Sequence, residues 1–350
     1  MKKRILFYSS VGSLELFKTQ KFYQIDIALL GDLGYDVSLS NRILDSLLFW
    51  KYDILFSYFY RYSFFAALFA KCLGKKTYFT GGIDSLDADY VSTRSYRIQV
   101  LFFKLCYWIS NSCIVVSQSD LKNIVKCLSS RKKLSYSEHA IDTRLFISDI
   151  PKENLFTSIV WMGNEGNVRR KGVDKALQVF AELKKIPAFA DYRFIIIGRK
   201  GEGVAFIQSI INKYGLNDSI ELIGEVSEEE KIAFLKRSKY YFQLSLYEGF
   251  GLAALEALCA SNILIHSGKG GLANPIYKEQ LVFNIDNDFD SEFSQLISKL
   301  TSFVPITSND ELLDYYNIQR RKEDFKAIIT DNKSNYKIAL LSKEIFSDMI

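Results

Sequence analysis

The chain has 350 residues, of which 48% are hydrophobic and 24% charged, and it contains four prolines. This composition is typical of a soluble globular protein with two ordinary domains and excludes a disordered or fibrous chain. The five cysteines are scattered and odd in number, so a reduced cytosol fits better than a disulfide framework. The two histidines lack ligand spacing, so no zinc site is predicted.

Charge is distributed unevenly along the chain. Residues 1–150 hold 20 Lys+Arg and 13 Asp+Glu, hence +7, whereas residues 151–350 hold 25 and 27, hence −2. The basic half predicts an anionic partner such as a membrane surface, and nucleic acid is less favoured because no recognised motif accompanies the charges. The basic segment 122–133 is most commonly interpreted as a solvated face. A membrane-facing patch is the more specific alternative. The sequence shows neither a spanning stretch nor a signal-peptide pattern.

The first half of the chain alternates strand and helix patterns. Ile5–Tyr8 is typical of a strand, a loop with Gly12 follows, a helical period runs to Gly34, and Asp36–Leu39 is the next strand. This βαβ opening predicts a doubly wound parallel sheet. Gly12 alone does not make the G-x-G-x-x-G fingerprint, so binding of NAD or FAD is rejected.

Loops at the carboxyl ends of parallel strands are where α/β sheets bind ligands. One predicted strand leads into Tyr58, and the next leads into Gly81, Gly82 and Asp84. We expect Gly12, Gly81, Gly82 and Tyr58 near this ligand-binding edge, where an aromatic ring could stack on a sugar or lipid. A core position is slightly favoured for any single aromatic residue.

A second alternating series begins after residue 150, following an expected linker at Asp149–Asn154. Strands again alternate with helices, which predicts a second doubly wound domain. The predicted domains are therefore residues 1–150, residues 151–330, and a terminal helix over residues 331–350.

The most informative stretch runs from Tyr240 to Gly271 and predicts strand, glycine turn, helix, strand and glycine loop. Glu248 precedes the helix, and Glu256 stands inside it on a strip of small side chains, where a ligand could approach. The helix N-terminus offers backbone amides to an anion. These amides are at Phe250, Gly251, Leu252 and Ala253. Two acids beside an anion site fit a nucleotide-sugar, although a helix cap and a solvated glutamate are the plainer interpretation of the two glutamates alone.

The whole block resembles the E-x7-E signature of retaining glycosyltransferases of family 4. The matching residues are Glu248-Gly249-Phe250-Gly251-Leu252, Glu256-Ala257-Leu258 and Gly270-Gly271. The resemblance is closest over about 159–274. It implies the GT-B fold, which has two Rossmann-like doubly wound α/β domains facing across a cleft, with a last helix that returns to the N-terminal domain.

The resemblance also implies roles for single residues. Lys171 begins a K-G-x-D segment, in which the family's lysine contacts the donor diphosphate. Arg170 is a further candidate for phosphate contact, and Arg199 is a lesser one. The loop with Val226 matches the position that holds the base. We assign the donor sugar hydroxyls to Glu248 and the ribose to Glu256, and we expect Asp84 to contact the sugar or the acceptor. The residues expected on the acceptor side are Gly12, Gly81, Gly82 and Tyr58.

Three departures from the family pattern stand beside these matches. Asn164 occupies the position of an arginine that usually follows a strand glycine. Gly81-Gly82 stands where relatives often have a histidine, and His139-Ala140 replaces an Asn-Gly pair. These departures put phosphate binding and full activity in question.

The sequence thus predicts a retaining hexosyltransferase that moves a sugar from a nucleotide-sugar to a glycan or lipid-linked acceptor in surface polysaccharide or glycoconjugate synthesis. We expect no cofactor and no metal, since the nucleotide-sugar is a substrate and the D-x-D triplets do not follow clear strand ends. The expected location is the cytoplasm, at the inner face of the cell membrane, with peripheral contact to anionic lipid. The alternatives are a nucleotide-sugar epimerase on the same fold and a non-catalytic binding subunit.

Overall fold

A computed structural model of the protein describes residues 2–302, 310–333 and 335–338. The chain forms two compact units: Met1–Ile141 with the chain from Tyr316 on, and Asp142–Tyr315. Within the described residues, each unit contains one six-stranded sheet, and every strand pair in both sheets is parallel. The prediction of two doubly wound α/β domains is confirmed.

The sheet of the first unit has the strand order β2-β1-β3-β4-β5-β6. Its strands are β1 Arg4–Ser9, β2 Asp36–Ser40, β3 Ile54–Tyr58, β4 Lys76–Thr80, β5 Ser112–Val115 and β6 Leu134–Tyr136. The helices are α1 Leu16–Thr19, α2 Lys21–Asp32, α3 Ser63–Cys72, α4 Thr93–Ile109 and α5 Gln118–Cys127, with 3-10 turns at Ile43–Leu47 and Asp84–Leu86. Strands β3 and β5 are buried throughout, which explains their largely apolar sequences.

The sheet of the second unit has the strand order β12-β11-β10-β7-β8-β9. Its strands are β7 Glu153–Ile159, β8 Arg193–Ile197, β9 Ile220–Gly224, β10 Ser238–Gln243, β11 Ile263–His266 and β12 Leu281–Val282. The helices are α6 Glu165–Arg170, α7 Val173–Lys184, α8 Gly203–Tyr214, α9 Glu228–Arg237, α10 Leu252–Cys259, α11 Phe289–Ser302 and α12 Asp310–Tyr315, and 3-10 turns lie at Thr143–Phe146, Pro187–Phe189, Gly270–Ala273 and Pro275–Tyr277.

Aromatic packing holds the two central strands of this second sheet in register. The ring of Phe156 on β7 stacks on Tyr240 and Phe242 of β10, at centroid distances of 4.6 and 4.9 Å. All three side chains belong to the buried core. Strand β10 is thereby fixed, and its carboxyl end leads directly into the loop that carries Glu248.

The limits of the units differ from the predicted ones at 150 and 330. The segment after Asp142 belongs with the second unit because its 3-10 turn packs on α9 and α10, and the Thr143 hydroxyl donates to the Leu313 carbonyl at 2.9 Å. Helix α13 (Ile318–Phe325), with the following π turn Lys326–Thr330, belongs with the first unit. The predicted terminal helix over 331–350 falls largely outside the described residues.

A buried ion pair explains why α13 belongs to the first unit. Arg321 and Asp26 of α2 are both fully buried, and the guanidinium Nε and Nη2 donate to the two carboxylate oxygens at 2.7 and 2.8 Å. The Arg321 Nη1 also donates to the carbonyls of Ser137 and Glu138 at 2.7 and 2.9 Å. This bidentate geometry joins residues 295 positions apart in the chain.

Candidate functional site

Glu248 is the centre of a compact polar cluster at the carboxyl end of β10. Its Oε1 accepts from Lys171 Nζ at 2.5 Å, and from Gln243 Nε2 and Ser245 Oγ, both at 2.8 Å. Burial alone would raise the pKa of this carboxyl, but the Lys171 charge and the hydrogen bonds outweigh it and hold the pKa below its usual value. Glu248 is therefore an ionised carboxylate in a largely enclosed place, as a ligand for sugar hydroxyls needs to be.

Lys171 reaches Glu248 because a glycine lets two loops meet. Gly172 has φ +66°, and a Cβ at this position would lie 1.7 Å from the carbonyl oxygen of Leu244. The contact is locked by the Leu246 amide, which donates to the Arg170 carbonyl at 2.9 Å. The Lys171-Gly172 dipeptide thus combines two functions. The glycine allows the two loops to come into contact, and the lysine side chain can then reach Glu248.

Helix α10 begins beside this cluster. Gly251 is its N-cap at φ +89°, and the Leu255 amide is the donor to the Gly251 carbonyl at 3.0 Å. The amides of Leu252 and Ala253 precede Leu255, the first intrahelical donor, as the first amides of any helix do. Together with the positive end of the helix dipole, such amides favour an anion. Phe250 is buried just before the cap.

Two further glycines close the loop of Glu248 from the other side. The Gly271 amide donates to the Glu248 carbonyl at 2.6 Å. Gly270 has φ +58°, and a Cβ there would lie 2.3 Å from that same carbonyl oxygen. The Gly270-Gly271 element of the motif thus holds the backbone of Glu248 in place.

Glu256 is placed differently from the expectation. Its side chain is nearly fully buried, and its Oε1 accepts from Lys231 Nζ of α9 at 2.8 Å. Lys231 also donates to Glu228 at 3.0 Å. Burial alone lowers the pKa of Lys231, but the two carboxylates raise it above its usual value. The strip of small residues around Glu256 is only partly accessible, since Ala257 is fully buried and Ala253 is half-buried.

The other predicted donor-side residues lie around the carboxyl ends of the strands of the same sheet. Arg170 is half-buried, and its charge contributes to the lowered pKa of Glu248. Arg199 is exposed just after β8, where its carbonyl accepts from the Met162 amide at 2.9 Å. Val226 follows β9 and packs on a small apolar cluster.

Asn164 stands where the family motif has an arginine, and its side chain serves as a helix cap. Its Oδ1 accepts from the Asn167 amide at 2.9 Å and caps α6. Arg169 does not replace the missing cation, because it pairs with Glu165 at 2.8 Å and lies 4.3 Å over the ring of Phe206. Arg170, which acts electrostatically on Glu248, is the stronger substitute.

In the first unit, the predicted acceptor-side residues separate into surface and core. Gly12 is exposed after β1, Asp84 is exposed at the start of its 3-10 turn, and Gly82 is half-buried after β4. Gly81 at φ +110° is buried against aromatic rings. Tyr58 is fully buried, and its hydroxyl bonds to Asp26. Tyr58 therefore has no free ring face for a sugar or lipid, and the prediction for this residue is wrong.

Sequence reasoning missed several members of the site. Gln243 and Ser245 bind Glu248, and the polar Gln243 directly after the aromatic run 240–242 was the available signal. Lys231 gave no signal beyond its spacing from Glu228, which is typical of a solvated helix pair. Phe59 belongs to the aromatic stretch 58–62, whose rings are candidates for stacking on a sugar or lipid. It is partly exposed after β3, with a left-handed backbone at φ 66° that is unusual for a non-glycine residue.

Comparison with known proteins defines the class. The fold is GT-B: a crystal structure of Anabaena Alr3699/HepE in complex with UDP and glucose matches with a TM-score of 0.74, covering 94% of this chain and 100% of that one at 12% identity. Residues 166–302 match the family model of glycosyl transferases group 1. That region contains Lys171, Glu248 and Glu256.

Curated relatives agree with this domain. The chain is 25% identical over 250 residues to a phosphatidylinositol N-acetylglucosaminyltransferase subunit of Arabidopsis thaliana, covering 71% of this chain and 53% of that protein. It is 31% identical over 142 residues to a GDP-mannose:cellobiosyl-diphosphopolyprenol alpha-mannosyltransferase of Xanthomonas oryzae pv. oryzae, covering 35% and 37%. The chain thus spans about half or less of the length of these two relatives.

Proposed function

We propose that the protein is a retaining glycosyltransferase of family 4 that transfers a hexosyl group from a nucleotide-sugar to a glycan or lipid-linked acceptor. The observation that carries the proposal is the Lys171–Glu248 pair beside the N-terminus of α10. A buried carboxylate, a cation and free helix amides together match the hydroxyls and the diphosphate of one ligand. The group 1 domain spans all three features.

The chemistry follows from where charge develops. As the glycosidic bond to the donor breaks, negative charge builds on the diphosphate, and preorganised cations and amides stabilise it. Lys171, Arg170 and the amides of α10 supply these groups without a metal ion. The donors to Glu248 in the described chain engage Oε1, and we assign Oε2 to the sugar hydroxyls. Same-face attack, with a donor phosphate oxygen as the base, is the mechanism we propose from the family likeness.

The named relatives support a lipid-linked acceptor. One relative is named for phosphatidylinositol and the other for a diphosphopolyprenol. Each of these lipids carries a phosphate-containing polar group on an apolar membrane anchor. We therefore place the reaction at the cytoplasmic face of a membrane, in surface polysaccharide or glycoconjugate synthesis. In the described part of the chain, no helix has both the length and the apolar character to cross a bilayer.

Donor binding and turnover test the proposal separately. A panel of nucleotide-sugars is screened for a rise in melting temperature, since a true donor stabilises the folded state by mass action. The stabilising donor is then assayed for transfer to lipid-linked acceptors, with the anomeric configuration read by NMR. Glu248→Gln should abolish transfer, whereas Glu229→Gln on exposed helix surface should not. Binding without turnover would indicate a non-catalytic subunit, and sugar conversion without acceptor would indicate an epimerase.

A further inference from the structure

Helix α4 presents an exposed stripe that mixes apolar and basic side chains. Arg97, Leu101, Lys104 and Trp108 are spaced four, three and four residues apart, so they lie on one face of the helix. All four are exposed, Leu101 by 56% and Trp108 by 73%. A single exposed apolar side chain is ordinary, but apolar side chains grouped on one surface mark an interaction site.

The apolar surface continues onto the neighbouring elements. Helix α3 packs on α4 and on the 3-10 turn Ile43–Leu47. Phe65 of α3 is 41% exposed and its ring lies 6.2 Å from that of Phe102. On the other side, the exposed rings of Phe49 and Trp50 meet at 5.2 Å. We call the exposed residues of α3, α4 and the segment 43–50 the α3–α4 face.

The charge of this face has one sign. Helices α3 and α4 contain four basic residues and no acidic one. Lys75 lies 6.0 Å from the ring of Phe49, and Lys133 donates to the Trp108 carbonyl at 2.5 Å, so ammonium groups border the exposed rings. Exposed aromatic and leucine side chains among lysines and arginines are the pattern of surfaces that rest in the headgroup region of anionic bilayers.

We propose that the α3–α4 face docks the protein onto an anionic lipid bilayer. Trp108 and Leu101 enter the interface between headgroups and acyl chains, while Arg97 and Lys104 remain at the level of the lipid phosphates. A second copy of the chain fits less well, because a two-fold contact would set this basic surface against itself. This proposal rests on the proposed function, which includes a lipid-linked acceptor. Docking is nevertheless measured without donor and without sugar transfer, so the two proposals are tested separately.

Vesicle sedimentation of the full chain tests the apolar part. Wild type should bind vesicles with about 30% phosphatidylglycerol in phosphatidylcholine and release them at high salt, with little binding to pure phosphatidylcholine. The double variant Leu101→Ser/Trp108→Ser should bind about tenfold more weakly or worse. The matched control is Ile147→Ser/Ile150→Ser, which removes two side chains of similar exposure, 49% and 50%, from the other unit.

Charge is tested in the same assay. Arg97→Gln/Lys104→Gln should weaken binding by about fivefold for each charge removed, as expected for basic residues at an anionic surface. Lys213→Gln/Lys278→Gln removes two exposed lysines of the second unit and should leave binding unchanged. Circular dichroism and melting curves confirm that each variant is folded.

Fluorescence gives a direct reading of depth. The chain has three tryptophans, so Trp50→Phe/Trp161→Phe leaves Trp108 as the single reporter. Its emission should shift to the blue on anionic vesicles and be quenched by brominated acyl chains.

Three results would overturn the proposal: wild-type binding by both double variants of the face, Trp108 emission unchanged on vesicles, or a wild-type dimer that only the α3–α4 variants dissociate. Transfer to a water-soluble acceptor should be equal in wild type and face variants. If the wild-type protein showed no transfer to this acceptor, the result would count against the proposed function and would leave the docking result unaffected.

Discussion

The ammonium of Lys171 lies 2.5 Å from Oε1 of Glu248, although the two residues are 77 positions apart in the chain. This pair joins the group that we assign to the diphosphate to the group that we assign to the sugar. Both side chains are largely buried, and the Lys171 charge helps to hold the pKa of Glu248 below its usual value. Removing Lys171 should therefore alter both donor binding and the titration of Glu248.

Lys171→Met is expected to lower kcat by about 100- to 1,000-fold, because it removes a cation from the developing charge on the leaving diphosphate. It should also move the acidic limb of the pH profile of kcat/KM to higher pH. Without Lys171, burial raises the pKa of Glu248, so the carboxyl is protonated over a wider range of pH. Lys175→Met on the adjoining helix is the control. An unchanged acidic limb in Lys171→Met would contradict the assigned electrostatic coupling.

Gly172→Ala tests whether the approach of the two loops depends on a missing side chain. Gly172 and Gly215 share φ +66°, but a Cβ at Gly215 meets nothing within 4 Å, whereas at Gly172 it meets the Leu244 carbonyl at 1.7 Å. Gly215→Ala should cost about 1–2 kcal/mol of unfolding free energy from backbone strain alone. Gly172→Ala should cost about 1–3 kcal/mol more and lower transfer, because Lys171 is displaced. Urea unfolding of both variants gives the comparison, and equal losses would mean that the loop yields freely.

Much of the fold was readable from the sequence because parallel strands buried on both faces leave continuous apolar runs between glycine loops. The site was readable where a local motif specifies local geometry, as in Lys171-Gly172 and the loop of Glu248. Tyr58 was not, because the last residue of a strand can turn to the core or to the rim, and only packing decides. Here its hydroxyl meets Asp26 and the ring is enclosed.

Partners distant in sequence were beyond prediction. Lys231 has the sequence spacing of a surface ion pair with Glu228, yet it also pairs with the buried Glu256 of another helix. The domain limits differ from the predicted ones for the same reason: Arg321 is joined to the first unit through Asp26 and two backbone carbonyls, all distant from it in sequence. Hydrophobic periodicity indicates which face of a helix or strand is apolar, but it does not indicate which polar group of another element that face will contact.

Lys231→Met should raise the KM for the donor by about tenfold or more while changing kcat little. Lys231 holds the Glu256 carboxylate through a charged hydrogen bond at 2.8 Å, and we assign Glu256 to the ribose. A donor with 2′-deoxyribose separates positioning from general damage: the variant should lose the preference for ribose that wild type shows. Glu228→Gln, which removes the exposed partner of Lys231, should leave the KM within about twofold of wild type. Retained ribose preference in Lys231→Met would assign the pair to stability alone.

Arg321→Met should destabilise the protein by about 3–5 kcal/mol, because it leaves the carboxylate of Asp26 buried without its cation. Lys322→Met on the same helix removes the partner of the exposed Asp32, 3.5 Å away, and should cost about 1 kcal/mol or less. Chemical denaturation at neutral pH measures both. Adding Asp26→Asn to Arg321→Met should recover part of the loss, since the buried charge is then gone. If Arg321→Met and Lys322→Met were equally mild, the buried pair would not be what holds α13 in the first unit.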